Sequence, residues 1–253
     1  MLKEQIVEGV KIPDFTGRRV VVVGGTGDVG EGIVRAWLKT NATVIVPSRS
    51  ESRVQEFKTV LSDIDELDNI EFVVDDYNNF DSADTLATRI SNEYGLITDI
   101  VVAMGSWWQG ELLCEIKEDT WYRYFVDIST AQVAMFRAWA DKLPSYGSYQ
   151  LIIGGSAIEP VRGSAVVCMQ QSALLMMRKA ISLEKNGRFR VASQVLGPII
   201  TRSREKYGFD WISNLEVGFV SVGIANEKAL EDGDFYSRNA EEMYDTMKSL
   251  NLI

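Results

Sequence analysis

The chain has 253 residues, 46% of them hydrophobic and 25% charged, enough to bury the core of a full α/β domain. Its formal charge of −10 argues against the broad basic surface that a nucleic-acid backbone requires. Histidine is absent, which excludes Ser-His-Asp and Cys-His pairs, HExxH zinc sites and imidazole proton transfer, and two cysteines, Cys114 and Cys168, form neither a disulfide framework nor a metal-ligand pattern.

Residues 1–12 mix acids and bases without a long apolar stretch, and they read as an N-terminal extension rather than a secretory signal. A strand at 19–23 is followed by helical spacing at 28–39, a strand at 43–46 and a helix at 51–61. The alternation continues with strands at 70–74, 100–103, 149–153 and 190–195, separated by helices at 82–94, 118–143 and 164–185. A helix at 213–225, a short strand at 234–236 and a C-terminal helix within 239–253 complete the chain. Strands regularly separated by helical crossovers predict one α/β domain over 1–253, a doubly wound, mainly parallel sheet with helices on both faces. No apolar run approaches the ~18 residues of a spanning helix, so the expectation is a soluble, cytoplasmic protein without membrane or nucleic-acid partners.

The stretch Val21-Val22-Val23-Gly24-Gly25-Thr26-Gly27-Asp28-Val29-Gly30 satisfies GxGxxG and an overlapping GxxGxxG spacing. Glycine permits the tight turn and close approach of the backbone to a pyrophosphate, and the amides opening the next helix face the anion. Its context, after a valine run and before Ile33, Val34 and Trp37, favours a phosphate cradle over a plain strand-to-helix turn. After the second strand, where an acid would select NAD, the chain reads Ser48-Arg49. A guanidinium fork and a hydroxyl suit the 2′-phosphate of NADP(H); a solvated loop arginine, with Glu51 nearby, is the competing reading.

With these residues in hand, the chain resembles the short-chain dehydrogenase/reductase family over residues 13–236, a single-domain Rossmann fold. The resemblance implies a cofactor site in which Gly24, Thr26, Gly27, Asp28, Val29 and Gly30 hold the pyrophosphate. Asp76 and Tyr77 fall beside the adenine. Ala103, Met104 and Gly105 take the place of the family's Asn-Asn-Ala-Gly, keeping only the last glycine. Gly197, Pro198, Ile199 and Thr201 match the segment that holds the nicotinamide carboxamide.

The family's proton chemistry uses a Tyr-x-x-x-Lys pair, a preceding serine and often an asparagine on the fourth helix. On the register set by Arg190-Val191, those positions fall on Val167, Gln171, Gly154 and Ile128, so the usual catalytic set is vacant. No tyrosine lies between Tyr149 and Tyr207 and no lysine between Lys142 and Lys179, so a small shift of register does not restore the pair. Ser156 and Gln171 remain as substitutes, able to orient a carbonyl or bond a ribose hydroxyl, though ordinary loop and helix polarity explains both as well.

Trp107 and Trp108 follow the fourth strand and either stack on a flat substrate or clamp a loop. The segment 202–207, with Arg202 and Arg204, matches a loop that covers substrate in the family, and either arginine can meet an acidic substrate. Trp121, Phe125, Phe136 and Trp139, with Leu174, Leu175, Met176 and Met177, exceed what one sheet face needs and point to a homo-oligomer, a dimer or tetramer. Two functions follow: an NADP(H)-dependent oxidoreductase with an atypical active site, reducing a small molecule, or a catalytically inactive NADP(H)-binding sensor or scaffold.

Overall fold

A computed structural model describes residues 9–64, 67–185, 187–204, 208–226 and 231–253. The first eight residues of the expected extension, and 205–207 of the expected covering loop, lie outside the described residues.

Seven strands form one parallel sheet. In chain order they are β1 (Arg19–Val23), β2 (Thr43–Ser48), β3 (Ile70–Val74), β4 (Asp99–Val102), β5 (Ser148–Gly154), β6 (Arg190–Leu196) and, after a separate two-residue pair, β9 (Gly233–Ser237). Their spatial order is β3-β2-β1-β4-β5-β6-β9, with the turn of direction between β1 and β4. β1 reads as an unbroken valine run because both of its faces are covered, Val20 and Val22 by one core and Val21 and Val23 by the other. The pair β7 (Ile199–Ile200) and β8 (Ile212–Ser213) lies outside the main sheet and is absent from the sequence reading.

The crossover helices are α1 (Asp28–Leu38), α2 (Glu51–Val60), α3 (Phe80–Tyr94), α4 (Glu118–Trp121), α5 (Asp127–Ala140), α6 (Ala165–Glu184), α7 (Asn214–Asn226) and α8 (Ala240–Ser249). The expected single helix at 118–143 is interrupted by a π turn at Tyr122–Val126, where Trp121 and Phe125 stack with centroids 4.3 Å apart. Asn79 starts α3 two residues earlier than the spacing suggests, through a capping box with Ser82.

One layer packs α3, α5 and α6 on the sheet, and the other packs α1, α7 and α8. Helix α7 is apolar almost all round because α1, the sheet and α8 enclose it. Its last carbonyls are met by two arginines: Arg190 donates to Ile224 O at 2.7 Å and Ala225 O at 2.9 Å, and Arg18 to Ala225 O at 3.1 Å. Arg18 also reaches the buried carboxylate of Asp99 at 2.6 Å, which accepts from Thr98 and Ser148 as well. Among the described residues no helix is long and apolar enough to cross a membrane.

Several residues expected at an oligomer surface belong to the core instead. Trp139, Leu174 and Leu175 are buried, and Phe136 packs edge-on against Tyr149 at 5.3 Å. They join Tyr149, Leu151 and Val191 in the core on that face of the sheet.

Candidate functional site

The glycine turn owes its shape to close approaches. Gly24 has φ of +82°, and a Cβ on it would lie 2.6 Å from Ala103 O at the end of β4. A Cβ on Gly30 would lie 2.2 Å from Gly24 O, so only glycine lets α1 seat against the turn. No side chain caps Gly27 at the start of α1, whereas Ser50, Asn79 and Asn239 cap α2, α3 and α8. The amides that open α1 thus have the chemistry to take a phosphate.

Two acids sit in that first turn, Asp28 and Glu31, and the segment after β7 answers both. Arg202 Nη1 pairs with Glu31 at 2.8 Å and its Nη2 reaches Thr26 O at 3.4 Å, while Ser203 donates to Asp28. Glu31 is nearly buried and accepts from Arg35 on its other oxygen at 2.9 Å. Thr201 closes this segment by a reciprocal backbone pair with Arg204. Asn214 at the head of α7 donates to Asp28 O at 2.8 Å.

At the ends of β2 and β3, Ser48 is buried and holds the turn to Ser50, while Arg49 is exposed. The Arg49 guanidinium lies 5.6 Å from the Tyr77 ring centroid and donates to Asn78 at 2.7 Å. Tyr77 is buried, and that burial raises its phenol pKa against the opposing influence of Arg49. Asp76 is exposed and accepts from the Asn78 amide at 3.3 Å.

A cleft of about 730 Å³ opens across the C-terminal ends of β4, β5 and β6. It begins at Asp28 and Val29, passes Ala103, Met104 and Gly105, and is bounded opposite by Gly197, Pro198, Ile199 and Thr201. Its inner wall holds Gly154, Ser156, Val167 and Gln171, with Trp107 at the rim. Trp108 turns away and packs on Tyr124 at 5.7 Å, so only one of the two expected tryptophans lines the cleft. Among the described residues neither a tyrosine nor a lysine lines it.

An amide cluster underlies the wall. Gln171 Oε1 accepts from Gly154 N at 2.6 Å and its Nε2 donates to Gln170 at 2.6 Å. Gln132, fully buried on α5, donates to Met104 O at 2.8 Å and so holds the end of β4. Ile128, one turn earlier, is half-buried and does not line the cleft. Sequence reasoning missed Gln132, and it missed the charged pair Glu159 and Arg238 that lines the cleft beside Gly155.

A family model described as short chain dehydrogenase matches residues 18–206. The chain belongs to the short-chain dehydrogenase/reductase family. A curated member, the 3-oxoacyl-(acyl-carrier-protein) reductase FabG of Rickettsia typhi, is 25% identical over 174 residues, 68% of each chain. Among solved structures, a short-chain dehydrogenase/reductase from Serratia marcescens superposes with a TM-score of 0.77 at 17% identity, over 87% of this chain and 96% of that one. ElxO with NADP bound gives 0.78 at 16% identity, over 87% and 96%. A blue fluorescent protein from a metagenomic library, in complex with NADPH, gives 0.74 at 17% identity, over 88% and 97%. Short-chain dehydrogenase/reductases are oxidoreductase folds that bind NAD(P)(H) at the crevice where the strand order turns, here the ends of β1 and β4.

The residues present fit such a dinucleotide. The turn at Gly24–Gly30 and the uncapped start of α1 suit a pyrophosphate, and the cleft carries Gly105 and Gly197 on its lining, where neither has a side chain to obstruct a flat ring. Gly197 itself admits no side chain, since a Cβ there would fall 1.8 Å from Arg238 O.

Proposed function

We propose that this protein is an NADP(H)-dependent oxidoreductase that reduces a small molecule and obtains its proton without the family's tyrosine–lysine pair. The supporting observation is the continuity of the cleft, which runs from the head of α1 to Val167, Ser156 and Gln171 with no side chain of the described residues closing it. A protein that merely sensed the nucleotide has no need of open space beyond the ring.

When bound, the nicotinamide supplies the hydride chemistry. Gly24, Thr26, Gly27, Asp28, Val29 and Gly30 would hold the pyrophosphate, and Ser48 and Arg49 the 2′-phosphate. Asp76 and Tyr77 would wall the adenine, and Ala103, Met104, Gly105, Gly197, Pro198, Ile199 and Thr201 would frame the ring and ribose. Val167 removes an acid from the wall and makes it apolar. Gln171 carries no charge, and its bond to Gly154 N positions the end of β5; one N–H remains for a ribose hydroxyl. Ser156 keeps a half-buried hydroxyl beside Gly154, placed to orient a carbonyl.

The test is single-turnover oxidation of bound NADPH against enones, ketones, imines and quinones, followed by loss of nicotinamide fluorescence. Oxidation by any one class supports the enzyme. NADPH that stays reduced against all of them, in a protein that binds it, supports the second reading, a sensor or scaffold. That reading is favoured by the absence of tyrosine and lysine among the described residues of the cleft. Residence in the cytoplasm and self-association complete the proposal.

A further inference from the structure

Arg238 occupies an unusual place. It follows β9, with its carbonyl against Gly197 and its Cγ 3.8 Å from where a Cβ on Gly155 would be, so it sits between the ends of β5 and β6. Glu242, in the first turn of α8, grips its inner edge, accepting from Nε at 3.1 Å and Nη2 at 2.5 Å. Glu242 is held ionised by this contact, which keeps its carboxyl below the usual range. The outer nitrogen, Nη1, faces the cleft and meets Glu159 at 2.7 Å.

The two carboxylates are not equivalent. Glu242 is 26% exposed and takes two of the guanidinium's nitrogens, whereas Glu159 is 76% exposed and takes one. A solvent-exposed pair of that kind contributes little and exchanges readily for another carboxylate. Arg204 also lines the cleft; it is exposed with its guanidinium 5.9 Å from the Trp211 ring, and no carboxylate among the described residues pairs with it.

We propose that Arg238 anchors the carboxylate of an acidic substrate, with Glu159 holding that position until substrate displaces it and Arg204 adding a second positive charge to the cleft. This rests on the cleft being the substrate site. Once Glu159 swings into solvent, the outer Nη1 of Arg238 is left to meet one carboxylate, with Arg204 as a further cation on the cleft lining. The apolar walls, Trp107, Val161 and Val167, suit a carboxylate joined to a ring or short chain.

Benzoate and its neutral isostere benzamide are titrated by calorimetry into the NADPH-loaded protein, and into Arg238→Gln and Glu159→Gln. Benzoate should bind at least ~10-fold more tightly than benzamide, the worth of a charge-assisted pair. Arg238→Gln should abolish that preference. Glu159→Gln, a surface change that leaves the fold intact, should strengthen benzoate about threefold or more without altering benzamide. Equal binding of the two probes to the natural protein, or no response of benzoate to Glu159→Gln, would overturn the assignment and leave the triad a structural clamp. NADPH is titrated separately into each protein. If it fails to bind, the cofactor reading fails, while the benzoate preference is still read on the nucleotide-free chain.

Discussion

Arg49 and Arg202 both lie near where the phosphates of a dinucleotide would rest, and their partners separate their roles. Arg202 is committed to Glu31 and to Thr26 O, so its charge is already matched. Arg49 donates to a neutral amide, Asn78, and rests near the Tyr77 ring. Glu51, the acid that made Arg49 doubtful in the sequence, instead accepts from Gln55 at 2.7 Å. The charge on Arg49 is therefore open to a 2′-phosphate. Removing a charge-assisted contact of this kind costs about 1.5–3 kcal/mol. Arg49→Ala should accordingly weaken NADPH by roughly 10- to 100-fold while changing NADH by less than about twofold. Fluorescence titration of both nucleotides reads the difference, and equal weakening would mean that Arg49 does not meet the phosphate.

At the scale of elements, the seat of α1 depends as much on α7 as on the glycine turn. A Cβ on Gly32 would fall 2.0 Å from Asn214 O, and one on Gly218 would fall 2.2 Å from Gly32 O. The two helices cross through these bare backbones, and Asn214 then fixes the head of α1 through Asp28 O. Gly32→Ala should force the helices apart at a cost of about 1–3 kcal/mol and loosen NADPH in parallel. Gly17→Ala, where the space is open but φ is +84°, should cost only about 1 kcal/mol from backbone strain and leave the nucleotide site alone. Urea midpoints and NADPH affinities of both variants check this; an undisturbed Gly32→Ala would show that the crossing is slack.

Elements of this kind were legible wherever one residue type answers one physical demand. Strands buried on both faces read as β-branched runs, and the turn reads as glycine because nothing else fits between Gly24 and Ala103. The π turn was not legible, since it depends on how Trp121 and Phe125 stack rather than on their identity. Nor was Arg238 with Glu159, a pair separated by 79 residues that only the folding of β9 beside β6 brings together. Gln132 escaped because a glutamine in an apolar helix carries no sign that its amide will close the end of β4.

For the whole molecule, the question is what covers the outer faces of α5 and α6. Core packing has taken Trp139, Phe136, Leu174 and Leu175, so those residues no longer support an oligomer. What remains outward is Met176, 63% exposed, and Leu183, 82% exposed, seven residues apart and so on one stripe of α6, with Val133 exposed on α5. A chain carrying a charge of −10 resists self-association unless apolar contact outweighs repulsion. Met176 and Leu183 flank the exposed Lys179, with Glu184 exposed beside Leu183, and we propose that a second copy presenting the same stripe pairs with it by two-fold symmetry. Light scattering after size exclusion should therefore give a mass of at least twice the chain at micromolar concentration. Leu183→Asp, introducing two like charges across the axis, should return it to the monomer without lowering the melting temperature by more than a few degrees, since Leu183 is 82% exposed and belongs to neither core cluster among the described residues. A natural protein that already runs as a monomer would end the proposal, and so would a Leu183→Asp variant that keeps the full mass.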